Sequence, residues 1–394
     1  MGLYDGLDTH QTTAEIARLL NIPIFLVVNT SRMTTSIAAM VKGYQLFQTD
    51  IKIAGVILNY VSGSRHEEKL RDAVEQHCEI PVVGSIPKDE GLRITERHLG
   101  LIPCPESSDA ESAVERIGDK LESCLDLDRI LSIAREFGPP HPFPLPPGER
   151  ETEKTPLPNG VRGLAGDSRV VKDDSGGQEI RAKIGILRDR AFNFYYPENL
   201  EALVNANAEL IFINSFEDRL PEVDGLYIGG GFPEFFLKEL EKNRGLRKDI
   251  ASAVEAGLPI YAECAGLMYL SQKIHWQGRS FEMVGIIPAE VRISEKPEGH
   301  GYVVAEVIRG NPLFPIGLAL RGHEFHHSNV SIKNGVEFAC EIRRGHGIDG
   351  KRDGVLYKNV FAAYTHLHAL GTPSWAGAFV SLAAKEGKVR RRQI

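Results

Sequence analysis

Pro259-Ile-Tyr-Ala-Glu-Cys-Ala-Gly-Leu-Met268 reads as a buried apolar strand that runs straight into Cys264 and, through the small residues Ala265 and Gly266, into the start of a helix. A tight strand-to-helix turn of this kind pushes the residue at its apex out of the sheet edge, the logic of a nucleophile elbow. The helix N-terminus lowers the pKa of a thiol placed there, and its free N–H groups can hold an oxyanion. A cysteine alone at such a turn is more often a plain core residue, so its company decides. Upstream, Asp224-Gly-Leu-Tyr-Ile-Gly-Gly-Gly-Phe-Pro-Glu234 places three glycines at the carboxyl end of another strand. Backbone amides can approach a ligand closely there, although a tight turn alone also accounts for such a run. Downstream, Ala363-Tyr-Thr-His-Leu-His368 carries two histidines two apart on a strand-like run. Each histidine taken singly reads as structural, but a cysteine paired with a histidine is the usual arrangement for making and breaking acyl thioesters.

From Lys183 onward the surrounding segments alternate as an α/β sheet requires. KIGILRD and AELIFIN are expected strands, PENLEALVNAN and LRKDIASAVEAG expected helices, and AGLMYLSQKI is expected to be helical throughout. MVGIIPAEVRI, GYVVAEVI and FACEIRR predict antiparallel strands, SWAGAFVSLAAKEG a closing helix, and the basic tail KVRRRQI a solvated end. His323-Glu-Phe-His-His327 is a literal H-E-x-x-H. Zinc chemistry needs that motif on a helix so that both histidines share a face. Arg321-Gly322 before it and Ser328-Asn-Val-Ser-Ile after it read as turn and strand, so no zinc or other metal site is expected.

The first half alternates in the same way. Helices are expected over Thr12–Leu20, Ser36–Phe47 and His66–Cys78, and buried parallel strands over Ile22–Val28, Ile53–Asn59 and Ile80–Pro87, continuous in hydrophobicity because helices cover both faces. Ser112–Phe137 is largely helical in pattern. Between Pro139 and Pro158 fall eight of the 22 prolines, followed by DDSGG at Asp173–Gly177, a composition that favours extended chain. This predicts a domain over 1–137, a Pro/Gly-rich linker over 138–181 and a second domain over 182–394. A net charge of −7 offers no global attraction to nucleic acid or anionic lipid, no apolar run approaches the ~20 residues of a membrane helix, and no secretory signal is visible. Five scattered cysteines without a C-x-x-C pair indicate reducing, cytoplasmic usage.

AECAG around Cys264, IGGGFPE and YTHLH together resemble a class I glutamine amidotransferase domain of the cobyric acid synthase type. The wider text, with RDRAFNFYYPENLEAL (Arg188–Leu203), PIYAECAGLMYL, RGHEFHHS (Arg321–Ser328) and YTHLHALG (Tyr364–Gly371), is similar to the cobyrinate a,c-diamide synthase family. MGLYDG, TAEIARLLNIPIFLVV, AGVILNYV, VVGSIP and ERHLGLIP extend the resemblance over nearly the whole chain except the Pro-rich stretch. It implies a C–N ligase that uses glutamine, ATP and Mg²⁺ to amidate side-chain carboxylates of a cobalamin-type tetrapyrrole. Cys264 would be the nucleophile, His366 the general base, and the amides of Gly230 or Gly231 and of Ala265 the oxyanion hole. Ala265 stands where a glycine is expected, and His368 where related enzymes carry the glutamate that orients the histidine, so a slower glutaminase is expected.

The resemblance also implies a dethiobiotin-synthetase-like, P-loop-type first domain, in which Asp5 would lie near the acceptor carboxylate and metal, and Asn59 and Pro87 near adenine; a strand-end cap explains Asn59 equally well. The loop itself, G-x-x-x-x-G-K-[ST], is absent: the only Gly-Lys pairs, Gly350-Lys351 and Gly387-Lys388, are in the other half. The fold expected is therefore an incomplete parallel-sheet synthetase domain plus an amidotransferase α/β domain, in a chain that begins inside the family's pattern, N-terminally truncated or completed by a separately encoded piece. That puts the ATP-dependent step of this chain alone in question. It also leaves open other acceptors (nickel-sirohydrochlorin, hydrogenobyrinate, sirohaem) and a tetrapyrrole-binding or regulatory remnant that is not a synthetase.

Overall fold

Both halves build on parallel strands with helices packed against them. The computed structural model describes residues 2–5, 12–92, 96–97, 100–101, 110–136, 182–333 and 335–392. The linker expected over 138–181 lies outside the described residues. The chain divides into two units, residues 1–165 and 166–394, each described by itself.

In the first unit, α1 (Thr13–Leu20) opens on a cap in which the Thr12 hydroxyl accepts the Glu15 N–H at 3.1 Å, and closes on Asn21 in the left-handed region. There follow β1 (Ile24–Asn29), α2 (Ser36–Phe47), β2 (Ile53–Val61), α3 (Ser64–Cys78) and β3 (Val82–Pro87). The three strands form a parallel sheet in the order β1-β2-β3. Leu26, Val28, Val56 and Leu58 bury against Ile37 and Val41 of α2 and Leu70 and Val74 of α3. A two-residue ladder joins β4 (Glu96–Arg97) to β5 (Gly100–Leu101). The long helical pattern after Ser112 is two helices, α4 (Ala110–Glu122) and α5 (Leu127–Glu136). The break falls where Leu125 bridges to Gly84 of β3 and Asp126 caps α5 by accepting the Arg129 N–H.

The second unit is organised around a ten-stranded sheet. Its parallel half runs through β6 (Ala182–Leu187), β7 (Ala208–Ile213), β8 (Gly225–Ile228) and β9 (Ile260–Glu263), with α6 (Pro197–Asn205), α7 (Leu237–Lys242) and α8 (Arg244–Glu255) between them. The helix after Cys264 is short: α9 (Ala265–Leu270) ends after six residues and the chain turns directly into β10 (Ser271–Trp276). This corrects the helix expected through Ile274. SQKIHW pairs on one side with β11 (Arg279–Glu282) and on the other with β12 (Ile287–Ile293), partners that local periodicity does not reveal. β12 runs parallel to β10 and antiparallel to β15 (Ser328–Ile332), completing a four-stranded side sheet.

β13 (Gly299–Val307), β14 (Ala319–His326), β16 (Glu337–Arg344) and β17 (Arg352–Tyr357) extend the main sheet in antiparallel fashion. β18 (Val360–Ala363) then lies parallel to β9, and β19 (His366–Leu367) pairs with β14 at the far edge. The sheet order is β19-β14-β13-β16-β17-β18-β9-β8-β6-β7. α10 (Ser374–Arg391) packs Trp375, Phe379 and Ala383 on one face, and α8 and α9 cover the other. The basic end is not simply solvated: Arg390 donates to the Val223 carbonyl and Arg391 pairs with the buried Asp224.

Candidate active site

β9 delivers Cys264 with backbone angles φ 48° and ψ −99°, a conformation that costs a non-glycine residue roughly 1–3 kcal/mol and persists only when its surroundings impose it. They do so through the Cys264 N–H, which donates to Ala363 O at 2.7 Å, and the Cys264 carbonyl, which accepts Met268 N at 3.1 Å. Gly266 lets α9 approach the Ile228 carbonyl, where any side chain would collide. The thiol is 5% exposed. Burial pushes its pKa up to about 12, the Glu234 carboxylate adds to the rise, and the Ala265 N–H opposes it. The acidifying effect expected of a helix end is thus outweighed, and the sulfur is a neutral thiol at neutral pH.

His366 lies three residues beyond β18, the parallel neighbour of β9, and stands opposite His323 in the β14–β19 pairing. Its ring stacks on His323 at 4.8 Å and meets the edge of Phe194 at 5.0 Å. Burial, reinforced by His323 and His326, lowers its pKa to about 3, so it rests as a neutral imidazole able to accept a proton. Gly230 packs directly on this ring, and a Cβ there would strike Cε1. The glycine run therefore does more than turn the chain: it leaves room for the imidazole.

The three candidate oxyanion donors separate. The Gly230 N–H is already given to the Phe194 carbonyl at 3.2 Å. Gly231, at φ 153° and pressed against the Ala191 carbonyl, has an N–H that no hydrogen bond engages among the described residues. The Ala265 N–H faces the Cys264 sulfur. Gly231 and Ala265 are the available pair. His368 does not contact His366 through any ring or hydrogen-bond contact among the described residues. Its Nε2 lies 3.5 Å from Glu198 of α6, its ring rests on Tyr196 at 4.6 Å, and its Nδ1 accepts Leu370 N. The orienting role expected from its sequence position does not match this placement.

Two buried carboxylates flank the histidine segment, and neither was singled out from sequence. Glu263, next to Cys264, accepts the Tyr261 hydroxyl at 2.7 Å, the Tyr227 hydroxyl at 2.9 Å and the Leu367 N–H at 2.9 Å. Its pKa is raised to about 7, first by burial. Asp353 accepts the N–H groups of Tyr364 and Thr365, both at 3.0 Å, and the Thr365 hydroxyl. The signal was present for Glu263: an acidic residue ending a wholly buried strand is rare unless paired. In the H-E-x-x-H stretch, His323–His326 belongs to strand β14. Four residues of strand span roughly 13 Å, so His323 and His327 do not converge on one ion. His326 instead stacks on Tyr364 at 3.7 Å and lies 3.6 Å from Glu324.

In the first unit the ends of β2 and β3 bring Asn59 beside Ile86 and Val61 beside Pro87. The Asn59 side-chain oxygen accepts the N–H of Tyr60, so it caps its own strand end. Asp5 is exposed, and among the described residues no hydrogen bond or ion pair links it to Asn59 or Pro87.

Residues 183–374 match a family model described as a CobB/CobQ-like glutamine amidotransferase domain, and residues 3–102 one described as a CobQ/CobB/MinD/ParA nucleotide binding domain. A cobyrinate a,c-diamide synthase of Magnetococcus marinus is 41% identical over 380 residues, 95% of this chain and 77% of the relative. Proteins of the same name from Archaeoglobus fulgidus and Caldanaerobacter subterraneus are 38% and 39% identical, over 98% and 93% of this chain and 79% and 76% of theirs.

Proposed function

The chain belongs to the cobyrinate a,c-diamide synthase family of glutamine amidotransferases, and from that premise we propose that it releases ammonia from glutamine at Cys264 for the amidation of side-chain carboxylates on a cobalamin-type tetrapyrrole. The observation that carries the glutaminase reading is the strained, enclosed Cys264 at the end of β9, one strand from the segment that bears a neutral His366. With the thiol near 12 and the imidazole near 3, a thiolate–imidazolium pair does not form at rest. The proton passes to His366 only as sulfur attacks the carboxamide carbon. The oxygen of the tetrahedral intermediate then takes the N–H groups of Gly231 and Ala265, each worth about 3 kcal/mol. Collapse breaks the C–N bond, and His366 returns the proton to the leaving ammonia. Water attacks the γ-glutamyl thioester, again with His366 as base, and frees glutamate and the thiol.

Mg-ATP is implied by the family, where it would activate the acceptor carboxylate. The residues of the first unit do not by themselves fit it: among the described residues no glycine loop followed by lysine presents amides to a phosphate, and the Asn59 side-chain oxygen is spent on its own strand end. Activation of the acceptor is therefore not assigned to residues of this chain. The test combines glutamine, Mg-ATP and a panel of tetrapyrrole carboxylates, with glutamate release and product mass as readouts. Exchange of OH for NH₂ on a cobyrinate-type acceptor supports the proposal, and exchange on another tetrapyrrole changes the acceptor. Absence of glutamate release by the chain, with or without acceptor, defeats the glutaminase reading.

A further inference from the structure

His366 Nδ1 is buried and makes no hydrogen bond, an orphan inside the site. The Glu263 Oε2 atom lies 3.9 Å from it. We propose that Glu263 is the positioning residue of the glutaminase: its carboxylate takes the His366 Nδ1 proton as a hydrogen bond and so leaves Nε2 bare to receive the proton of Cys264. The inference rests on the reading of Cys264 and His366 as nucleophile and base, and deepens it.

The geometry favours Glu263 in three ways. First, the carboxylate is immobilised, with Oε1 accepting the Tyr261 hydroxyl and the Leu367 N–H and Oε2 accepting the Tyr227 hydroxyl. Second, one of those donors is the main chain of the residue after His366, so Glu263 fixes β19 and the imidazole relative to each other. Third, the position two residues after the histidine is occupied by His368, which engages Glu198 instead. Closing the 3.9 Å gap needs a ring movement of about 1 Å, within the tightening that catalytic hydrogen bonds undergo when substrate is bound. A carboxylate there acts electrostatically as well: as His366 takes the thiol proton, the forming imidazolium finds a negative partner, and the enclosed site magnifies that attraction. Burial raises the Glu263 pKa to about 7, so the carboxylate that this role requires prevails above that pH and gives way to the neutral acid below it.

The test compares the wild-type chain with Glu263→Gln, alongside Cys264→Ala as the blank. Glu263→Gln keeps shape and an acceptor for Leu367 but removes the charge. The expected result is a fall in kcat for glutamine hydrolysis of about 100-fold with KM within about threefold, the split of a group that assists only the reacting state. A kcat for Glu263→Gln within about threefold of wild type overturns the proposal. A second readout needs neither turnover nor a folded variant: ring ¹⁵N shifts of His366 in the wild-type protein. Protonated Nδ1 with bare Nε2 supports the proposal, and the opposite tautomer overturns it. If wild type hydrolyses no glutamine, the nucleophile assignment fails, and the tautomer still decides the part assigned to Glu263.

Discussion

Cys264 and Tyr60 sit at the same kind of place, the carboxyl end of a parallel strand, and both are non-glycine residues at positive φ, 48° and 64°. Their surroundings differ. Tyr60 is 45% exposed, and its N–H is taken by the side chain immediately before it. Cys264 is 5% exposed and is held through Ala363 on the neighbouring strand and Met268 on the following helix. One conformation is kept by a local cap at the surface, the other by residues far apart in sequence. Strain that only long-range structure can maintain is the kind found at reactive positions. Changes at the β9 end should therefore be felt in chemistry, and changes at the β2 end hardly at all.

The largest expected effect is Cys264→Ala, which should remove glutamine hydrolysis by a factor of about 10⁴ or more, read as glutamate release. Activity that survives the substitution breaks the comparison at its strong end. Gly230→Ala comes next. The new methyl drives into the buried His366 ring, which is already packed on His323 and Phe194, so kcat should drop by about 10–100-fold and the overpacking should lower the melting temperature as well. Unchanged kcat would show that the imidazole is not held by the glycine run.

Much of this site was legible in the sequence, because its parts are local. The elbow, the glycine run and the histidine segment each announce themselves in a few residues, and the alternation of strand and helix placed them at strand ends. The parts that were not legible depend on sheet register. His366 meets His323 only because β19 pairs with β14, two strands separated by a long stretch of intervening chain, and Glu263 meets Leu367 only because β18 lies beside β9. The same ignorance of partners makes Ser271–Ile274 read as the end of a helix, and gives His368 a role by its spacing when Glu198 of α6 lies against its ring.

Asp353 tests the long-range bracing directly. Asp353→Asn leaves fewer acceptors for four donors (the N–H groups of Gly354, Tyr364 and Thr365 and the Thr365 hydroxyl), so the unit should lose about 1–3 kcal/mol of stability, seen as a lower denaturant midpoint. An unchanged midpoint would mean that the histidine segment holds its shape without the buried carboxylate. The pH dependence of stability separates the other two buried groups. His366, lowered from 6.5 to about 3, contributes stability that is present above pH 6.5 and lost as pH falls toward 3. Glu263, raised from 4.5 to about 7, contributes stability that is present below pH 4.5 and lost as pH rises through 7. The two oppose each other between pH 4.5 and 6.5, so the melting temperature should be flattest there and fall on the acid side. His366→Gln should flatten the acid limb, and an acid limb unchanged in that variant would place its origin elsewhere.

The smallest effect belongs to the surface end of the comparison. Tyr60→Gly relieves a left-handed conformation that costs a residue with a Cβ about 1 kcal/mol, and at the same time enlarges the freedom of the unfolded chain by a similar amount. The net change in stability should stay within about 0.5 kcal/mol of zero, measured by denaturant titration, and glutamine hydrolysis should be untouched. A loss several times larger would mean that the exposed ring of Tyr60 makes contacts that matter, and that the β2 end is as tightly determined as the β9 end. Asn59→Ala completes the pair: removing the oxygen that caps Tyr60 leaves an exposed N–H to water, which replaces the bond at small cost, whereas no water reaches the buried donors around Glu263.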